Sequence, residues 1–338
     1  MICMNKPSGC VDKDGISKLE PKPNDLFTVR NNFCKTLSIN YMKRLFSLLI
    51  GLCAGATLLS TVYAQTKLTS RTIEDGGTGP YKALMIQESS LPTHTVFRPT
   101  ALNPFGKKSK LPIIVWGNGA CANSPWEHVN FLSEVASYGF LVVALGPMPQ
   151  EGEKGSGRSV SSQMTDAINW AIAQNGDKNS PLYEKLDVAK ISVSGMSCGG
   201  LQTLETATDP RVTTAVIYNS GILGNSGGMA GMPKLTKDHL LKLHTPILYV
   251  LGGEKDIAYN NGMDDFKRIE HLPVFVANMD VGHGGTYGQP HGGEFAKVAV
   301  SWYKWQLKGD KEAGKMFTGN PPGLAQNPNW KVEKKKMP

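Results

Sequence analysis

Residues 191–201 read Ile-Ser-Val-Ser-Gly-Met-Ser-Cys-Gly-Gly-Leu. A short β-prone run, Ile191 to Ser194, enters Gly195-Met196-Ser197-Cys198-Gly199, and a helical pattern runs on from Gly199 to Thr208. Strand, tight turn and helix in that order raise a serine Oγ above the edge of a sheet, and the flanking glycines permit the strained turn and close packing that this requires. The bare Gly-x-Ser-x-Gly string carries little weight, because Gly224-Asn225-Ser226-Gly227-Gly228 repeats it in the same chain. That second copy leads into Met229-Ala230-Gly231-Met232-Pro233, which cannot start a stable helix. Context therefore selects Ser197 as the nucleophile and reads Ser226 as part of a flexible loop.

Outward from the turn, β-rich and amphipathic segments alternate. Strands are expected at Ala83 to Gln87, Thr95 to Pro99, Leu111 to Trp116, Leu141 to Leu145, Ile191 to Ser194, Val212 to Tyr218, Pro246 to Leu251 and Val274 to Met279. Leu111 to Trp116 (LPIIVW) is apolar throughout, as a strand buried on both faces must be. Helices are expected at Ser124 to Tyr138, along Val160, Met164, Ala167, Ile168, Ala171 and Ile172 at a 3.6-residue period, at Gly199 to Thr208 and at Glu294 to Leu307. The alternation predicts an α/β fold, a mostly parallel twisted sheet with helices on both faces, whose site lies at the carboxyl ends of the strands.

An activated serine needs a base for its proton, and the base needs a carboxylate to fix its tautomer. Asp256 ends the run ILYVLGGEKD, and His283 sits in the Gly-rich exit VGHGG after the last apolar strand, so both fall on strand-end loops downstream of Ser197. His291 is the reserve base. Asp280 is the reserve acid, three residues from the histidine it would orient. Two backbone N–H groups must await the oxyanion. Cys198, next to the nucleophile, supplies one; the other is assigned to Ala120 in the loop Gly117-Asn118-Gly119-Ala120, with Gly119 as its alternative. No Cys-x-x-Cys or His-Glu-x-x-His spacing is present, so neither a metal nor an organic cofactor is expected.

The chain of 338 residues carries 36 Lys+Arg against 28 Asp+Glu, a net charge of +8. Eight of those bases and four of the acids lie in residues 1–64, and Lys331, Lys334, Lys335 and Lys336 supply most of the remaining excess. The basic end reads as a solvated terminus, and with no nucleic-acid-binding motif the charge does not point to DNA or RNA. Lys43 and Arg44, an apolar run from Leu45 to Leu59, and Val62-Tyr63-Ala64 form a secretory signal at 42–64, with cleavage expected after Ala64 and a secreted or periplasmic product. The apolar run is too short for a stable membrane anchor. Leu52 stands where a small residue should precede a lipidated cysteine, which disfavours a lipoprotein at Cys53. Residues 1–41 read as a non-native or disordered leader, with Met42 as the working start, and 65–338 as a single domain.

These residues together, the strand LPIIVW with its glycine loop, the turn Gly195-Met196-Ser197-Cys198-Gly199, then Asp256 and His283, resemble the α/β-hydrolase superfamily over residues 80–310. The likeness is to the lidless esterase branch of dienelactone hydrolases, chlorophyllases and cutinase-like polyester hydrolases. It implies hydrolysis of a small or polymer-displayed carboxylic ester through an acyl-enzyme. Two positions depart from that branch: Ala120 stands where polyester hydrolases commonly carry an aromatic oxyanion donor, and Cys198 where Met or Gln is usual. A secreted serine peptidase and a non-catalytic binding protein of the same fold are the competing expectations. Cys121 and Cys198 alone survive signal cleavage. Because Cys121 follows Ala120 and Cys198 follows Ser197, a shared oxyanion hole would bring the two within disulfide reach; two buried thiols are the alternative.

Overall fold

Strand β4 shows why the apolar run at 111–117 is continuous. Alternate side chains point to opposite faces: Leu111, Ile113 and Val115 enter one hydrophobic cluster, Ile114 and Trp116 the other, and every residue of the strand is buried. The computed structural model describes residues 68–224 and 232–338, and these lie in one unit spanning Lys67–Pro338. The expected leader at 1–41, the signal at 42–64 and Ser226 fall outside the described residues.

Among the described residues the strands are β1 (Ser70–Arg71), β2 (Ala83–Ile86), β3 (His94–Pro99), β4 (Leu111–Gly117), β5 (Leu141–Leu145), β6 (Leu186–Met196), β7 (Thr214–Tyr218), β8 (Ile247–Leu251), β9 (Val274–Met279) and β10 (Trp330–Lys335). They form one sheet in the order β1-β2-β3-β5-β4-β6-β7-β8-β9-β10. The centre, from β5 to β9, is parallel. The flanks, β1–β3 against β5 and β10 against β9, are antiparallel. The helices are α1 (Val129–Ser137), α2 (Ser162–Gly176), α3 (Cys198–Thr206), α4 (Tyr259–Arg268), α5 (Gly293–Lys308) and a single turn, α6 (Lys311–Gly314). Side chains of α1 and α5, including Phe131, Val135, Phe295 and Trp302, pack with Trp116, whereas Met164, Ile168, Leu204 and Phe266 from α2, α3 and α4 pack with Ile113 and Val115. Helices therefore cover both faces. This is the α/β-hydrolase fold.

Two elements differ from the sequence expectation. The basic tail is not a solvated end: Trp330–Lys335 is an edge strand, paired residue for residue with Val274–Met279. Trp330 is buried, and Lys335 Nζ donates to the carbonyls of Phe266 and Lys267 at 2.9 Å each, capping the last turn of α4. Lysines on an edge strand also discourage pairing with another chain. Helix α4 itself was not expected, because its sequence YNNGMDDFKR is mostly polar and holds Gly262, leaving little periodic apolar signal.

The geometry at the head of α3 depends on glycine. Gly117 pairs with Gly195 across β4 and β6. A Cβ on Gly199 would stand 2.1 Å from the Gly117 carbonyl oxygen, and one on Gly195 would stand 2.4 Å from that of Gly199. Both obstacles are main chain, so the helix could admit a methyl group only by moving away from the sheet. Gly199→Ala should destabilise the fold by roughly 3 kcal/mol or more, at or beyond the usual cost of overpacking. Gly176→Ala, where an added Cβ meets nothing, should stay within about 0.5 kcal/mol. Urea unfolding of both variants checks the contrast; equal losses would contradict it.

Candidate active site

Ser197 occupies the turn between β6 and α3 with φ 54° and ψ −115°, a conformation costly for any residue bearing a Cβ. The surroundings hold it there. Its N–H donates to Tyr218 O at 2.9 Å, and its carbonyl accepts from Gly200 N–H at 2.9 Å and from Ser220 Oγ at 2.7 Å. Strain that the neighbouring strand and helix enforce in this way lifts the side chain clear of the backbone.

The structure brings Ser197, His283 and Asp256 together. His283 Nε2 lies 3.0 Å from Ser197 Oγ, and His283 Nδ1 lies 2.6 Å from Asp256 Oδ1. Because Nδ1 faces a carboxylate it carries the ring proton, which leaves Nε2 free to accept from the serine hydroxyl. The Asp256 side chain is fully buried while that of His283 is 27% exposed, so the acid is sealed and the base is open to a substrate. Burial alone would push the Asp256 carboxyl up. Hydrogen bonds from His283, the Ala258 N–H, the Asn219 amide and the Gly252 N–H outweigh it and hold the group below the usual carboxylate range.

The reserve residues sit elsewhere. His291 Nδ1 lies 3.5 Å from both Glu74 and Glu134, and the His291 N–H donates to Glu74 at 2.6 Å. Asp280 is exposed and lines a cavity of about 450 Å³ with Glu254, Lys255 and Lys331, while His283 Nδ1 is engaged by Asp256.

Cys198 is the first residue of α3, where a backbone N–H has no partner within its own helix. Opposite it, Gly119–Cys121 make a tight turn in which Ala120 (φ 53°) and Cys121 (φ 50°) are both left-handed. Four hydrogen bonds fix this loop. Asn118 Nδ2 donates to Ala122 O and Leu145 O, Ser159 N–H donates to Cys121 O, and Ala122 N–H donates to Gly119 O. A Cβ on Gly119 would lie 2.6 Å from Met196 Sδ, so a larger residue there would displace the Met196 side chain. A disulfide joins Cys121 to Cys198 across a Cα separation of 5.1 Å.

Three residues of the network were not singled out from the sequence. Asn219, at the end of β7, is fully buried and left-handed (φ 43°); its Nδ2 donates to Asp256 Oδ2 at 2.8 Å and its Oδ1 accepts from Tyr287 OH at 2.5 Å. Tyr287 shares the loop of His283. His128, pushed down to about 3 by burial and hence neutral, packs against the Tyr287 ring at 5.0 Å and the Trp116 ring at 5.1 Å. The available signal was position: Asn219 directly follows a parallel strand, where sites of this fold collect. Among the described residues no group of three His, Cys, Asp or Glu side chains is placed to hold a metal, and no helix is long and apolar enough to cross a membrane.

The disulfide closes a 77-residue separation, which stabilises the fold by up to about 4.5 kcal/mol in the chain-entropy model. Reduction should lower both Tm and activity, because the bond ties the residue after Ser197 to the Gly119–Cys121 turn. Calorimetry and assay with and without reductant check this; two readily alkylated thiols in the native protein would contradict it.

Residues 78–222 match the family model described as PETase: PET hydrolase-like. No curated protein matches the chain. The matched segment holds the Gly119–Cys121 turn and the Ser197 turn and ends before Asp256 and His283, so those two are placed by geometry alone. Over residues 78–222 the chain resembles the PET hydrolase-like family, and its sheet has the α/β-hydrolase architecture.

Proposed function

We propose that the chain is an exported serine hydrolase that cleaves carboxylic esters, small or displayed on a polymer, through an acyl-enzyme. The observation that carries this is the chain of contacts from Asp256 Oδ1 through His283 to Ser197 Oγ, 2.6 Å and 3.0 Å long, at the carboxyl ends of β6, β8 and β9. The match to PET hydrolase-like proteins favours an ester over an amide.

In this mechanism His283 Nε2 takes the Ser197 proton as Oγ attacks the ester carbonyl. Charge develops on the carbonyl oxygen, which the N–H groups of Cys198 and Ala120 receive; the start of α3 adds the positive end of its dipole. His283, now an imidazolium held by Asp256, returns the proton to the leaving alcohol. An acyl group remains on Ser197. Water, deprotonated by the same His283, then releases the acid and restores the serine. Each step reuses one imidazole as base and then acid, so fixing its orientation serves both halves of the cycle.

Access to the site follows from the connections. Between β7 and β8 the described residues form only one short 3-10 helix, Lys237–Lys242. The exposed side chain of Ile257 stands directly after Asp256, and that of Trp126 lies on the loop that follows β4. Exposed apolar side chains on the loops that carry Asp256 and follow β4 suit an ester carried on a larger, partly apolar molecule.

Ser197→Ala should lower kcat on short-chain and aryl esters by about 10⁴ to 10⁶ while Ser226→Ala leaves it within about twofold of the parent. Loss of activity in the Ser226 variant alone would contradict the assignment, and faster turnover of peptide amides than of esters would make the protein a peptidase. Export is tested separately. N-terminal sequencing of the secreted protein should find Gln65 first, and a mature chain that keeps residues 1–41 would refute translation from Met42 with cleavage after Ala64.

A further inference from the structure

Three loops converge on the Asn219 side chain: the exit of β7, on which it lies, the exit of β8, which carries Asp256, and the exit of β9, which carries His283 and Tyr287. They leave no room between them. A Cβ on Gly252 would stand 2.0 Å from Gly282 O and 2.9 Å from Asn219 Nδ2. The Gly252 carbonyl accepts from the N–H groups of both Val281 and Gly282, so the acid loop and the histidine loop are already stitched along the backbone. Asn219 adds the side-chain stitch.

Every hydrogen bond it makes has a direction. The partners of Nδ2 are Asp256 Oδ2 at 2.8 Å and Gly282 O at 3.3 Å, an ionised carboxylate and a carbonyl, both of which can only accept. The Asn219 amide must therefore point its nitrogen at the acid. Its oxygen then faces Tyr287, whose phenol is kept protonated by burial and donates at 2.5 Å. Were that donor missing, the amide oxygen would be buried without a partner. The amide could then turn over, aiming its oxygen at the Asp256 carboxylate and replacing attraction by repulsion.

We infer that Asn219 and Tyr287 are a positioning pair for the triad: Tyr287 sets the orientation of the Asn219 amide, and the amide sets the Asp256 carboxylate against His283. This rests on the assignment of Ser197, His283 and Asp256 as the reacting set. Asp256 has four donors, two on each oxygen. His283 and the Ala258 N–H share Oδ1, and the Gly252 N–H and Asn219 share Oδ2. Only Asn219 among them is a side chain that is itself steered by the histidine loop. The path Ser197–His283–Asp256–Asn219–Tyr287 returns to the loop of His283, so a shift of that loop is felt at both ends of the acid. The Tyr287 ring is in turn held edge-on by His128, Phe131 and Trp116 at centroid distances of 5.0, 5.4 and 6.0 Å.

The test is a cycle of Tyr287→Phe, Asn219→Ala and the double variant, assayed on one soluble aryl ester with Ser197→Ala alongside. Both single variants should lower kcat on the order of 10²-fold, the scale of a small misplacement in a catalytic group, with KM within about twofold. The double variant should be little worse than Asn219→Ala, because residues acting as a unit are not additive. Losses that multiply in the double variant, losses confined to KM, or single variants at parental kcat would each overturn the inference. Tyr287→Phe deletes one oxygen and keeps the ring packing, so if Asn219→Ala does not fold, kcat of Tyr287→Phe alone decides. Full turnover by Ser197→Ala would instead overturn the triad; its loss combined with unaffected Tyr287→Phe would overturn only the positioning pair.

Discussion

The contact between the Gly117 carbonyl and the first turn of α3 governs how the site is assembled. With no side chain on Gly117, Gly195 or Gly199, the helix can begin directly against two parallel strands, and Ser197 is forced into its left-handed turn at the point where β6 ends. A serine that simply continued β6 would point its Oγ onto one face of the sheet, among the buried side chains there. Here the sheet and the helix impose the strain, and the hydrogen bonds of Ser197 N–H and C=O to β7 and its exit keep it. The same closeness places Cys198 against the loop after β4, where the disulfide to Cys121 locks the two together.

The second requirement is electrostatic. A buried carboxylate is tolerated because four donors surround it, and being ionised it fixes the proton of His283 on Nδ1. That leaves Nε2 as the acceptor facing Ser197. The loops after β7, β8 and β9 each contribute one part of this arrangement, so the parallel order of those strands is what allows residues 219, 256 and 283 to meet. The aromatic group around Tyr287 supplies rigidity: Trp116 from β4, Phe131 from α1 and Tyr218 from β7 all contact its ring, which joins the histidine loop to the core on that face of the sheet.

Much of this was legible in the sequence because it is local. The LPIIVW run announces a strand buried on both faces, and Ile191 to Thr208 announces its turn by running from a strand straight into a helix. Asp256 and His283 were legible as strand-end residues in the order that the proposed mechanism uses, and Cys121 with Cys198 followed from adjacency to the two proposed oxyanion donors. Asn219 and Tyr287 were not, since a lone Asn after a strand and a Tyr in a Gly-rich loop have no periodic or spacing signal; their role exists only where three distant loops meet. Strand β10 was missed for another reason. Trp330 and Val332 alternate with charged residues as an edge strand should, yet four lysines in the last eight residues make the segment read as a solvated tail.

The central claim is that Ser197 is the one hydroxyl activated by His283. Stoichiometric labelling of the native protein with a serine-directed fluorophosphonate, followed by peptide mapping by mass spectrometry, tests it most directly. One phosphonyl group per chain on the peptide holding Gly195-Met196-Ser197-Cys198-Gly199, absent after His283→Ala, is the predicted result. Labelling on Ser226, or none on a folded protein that hydrolyses esters, would contradict the account.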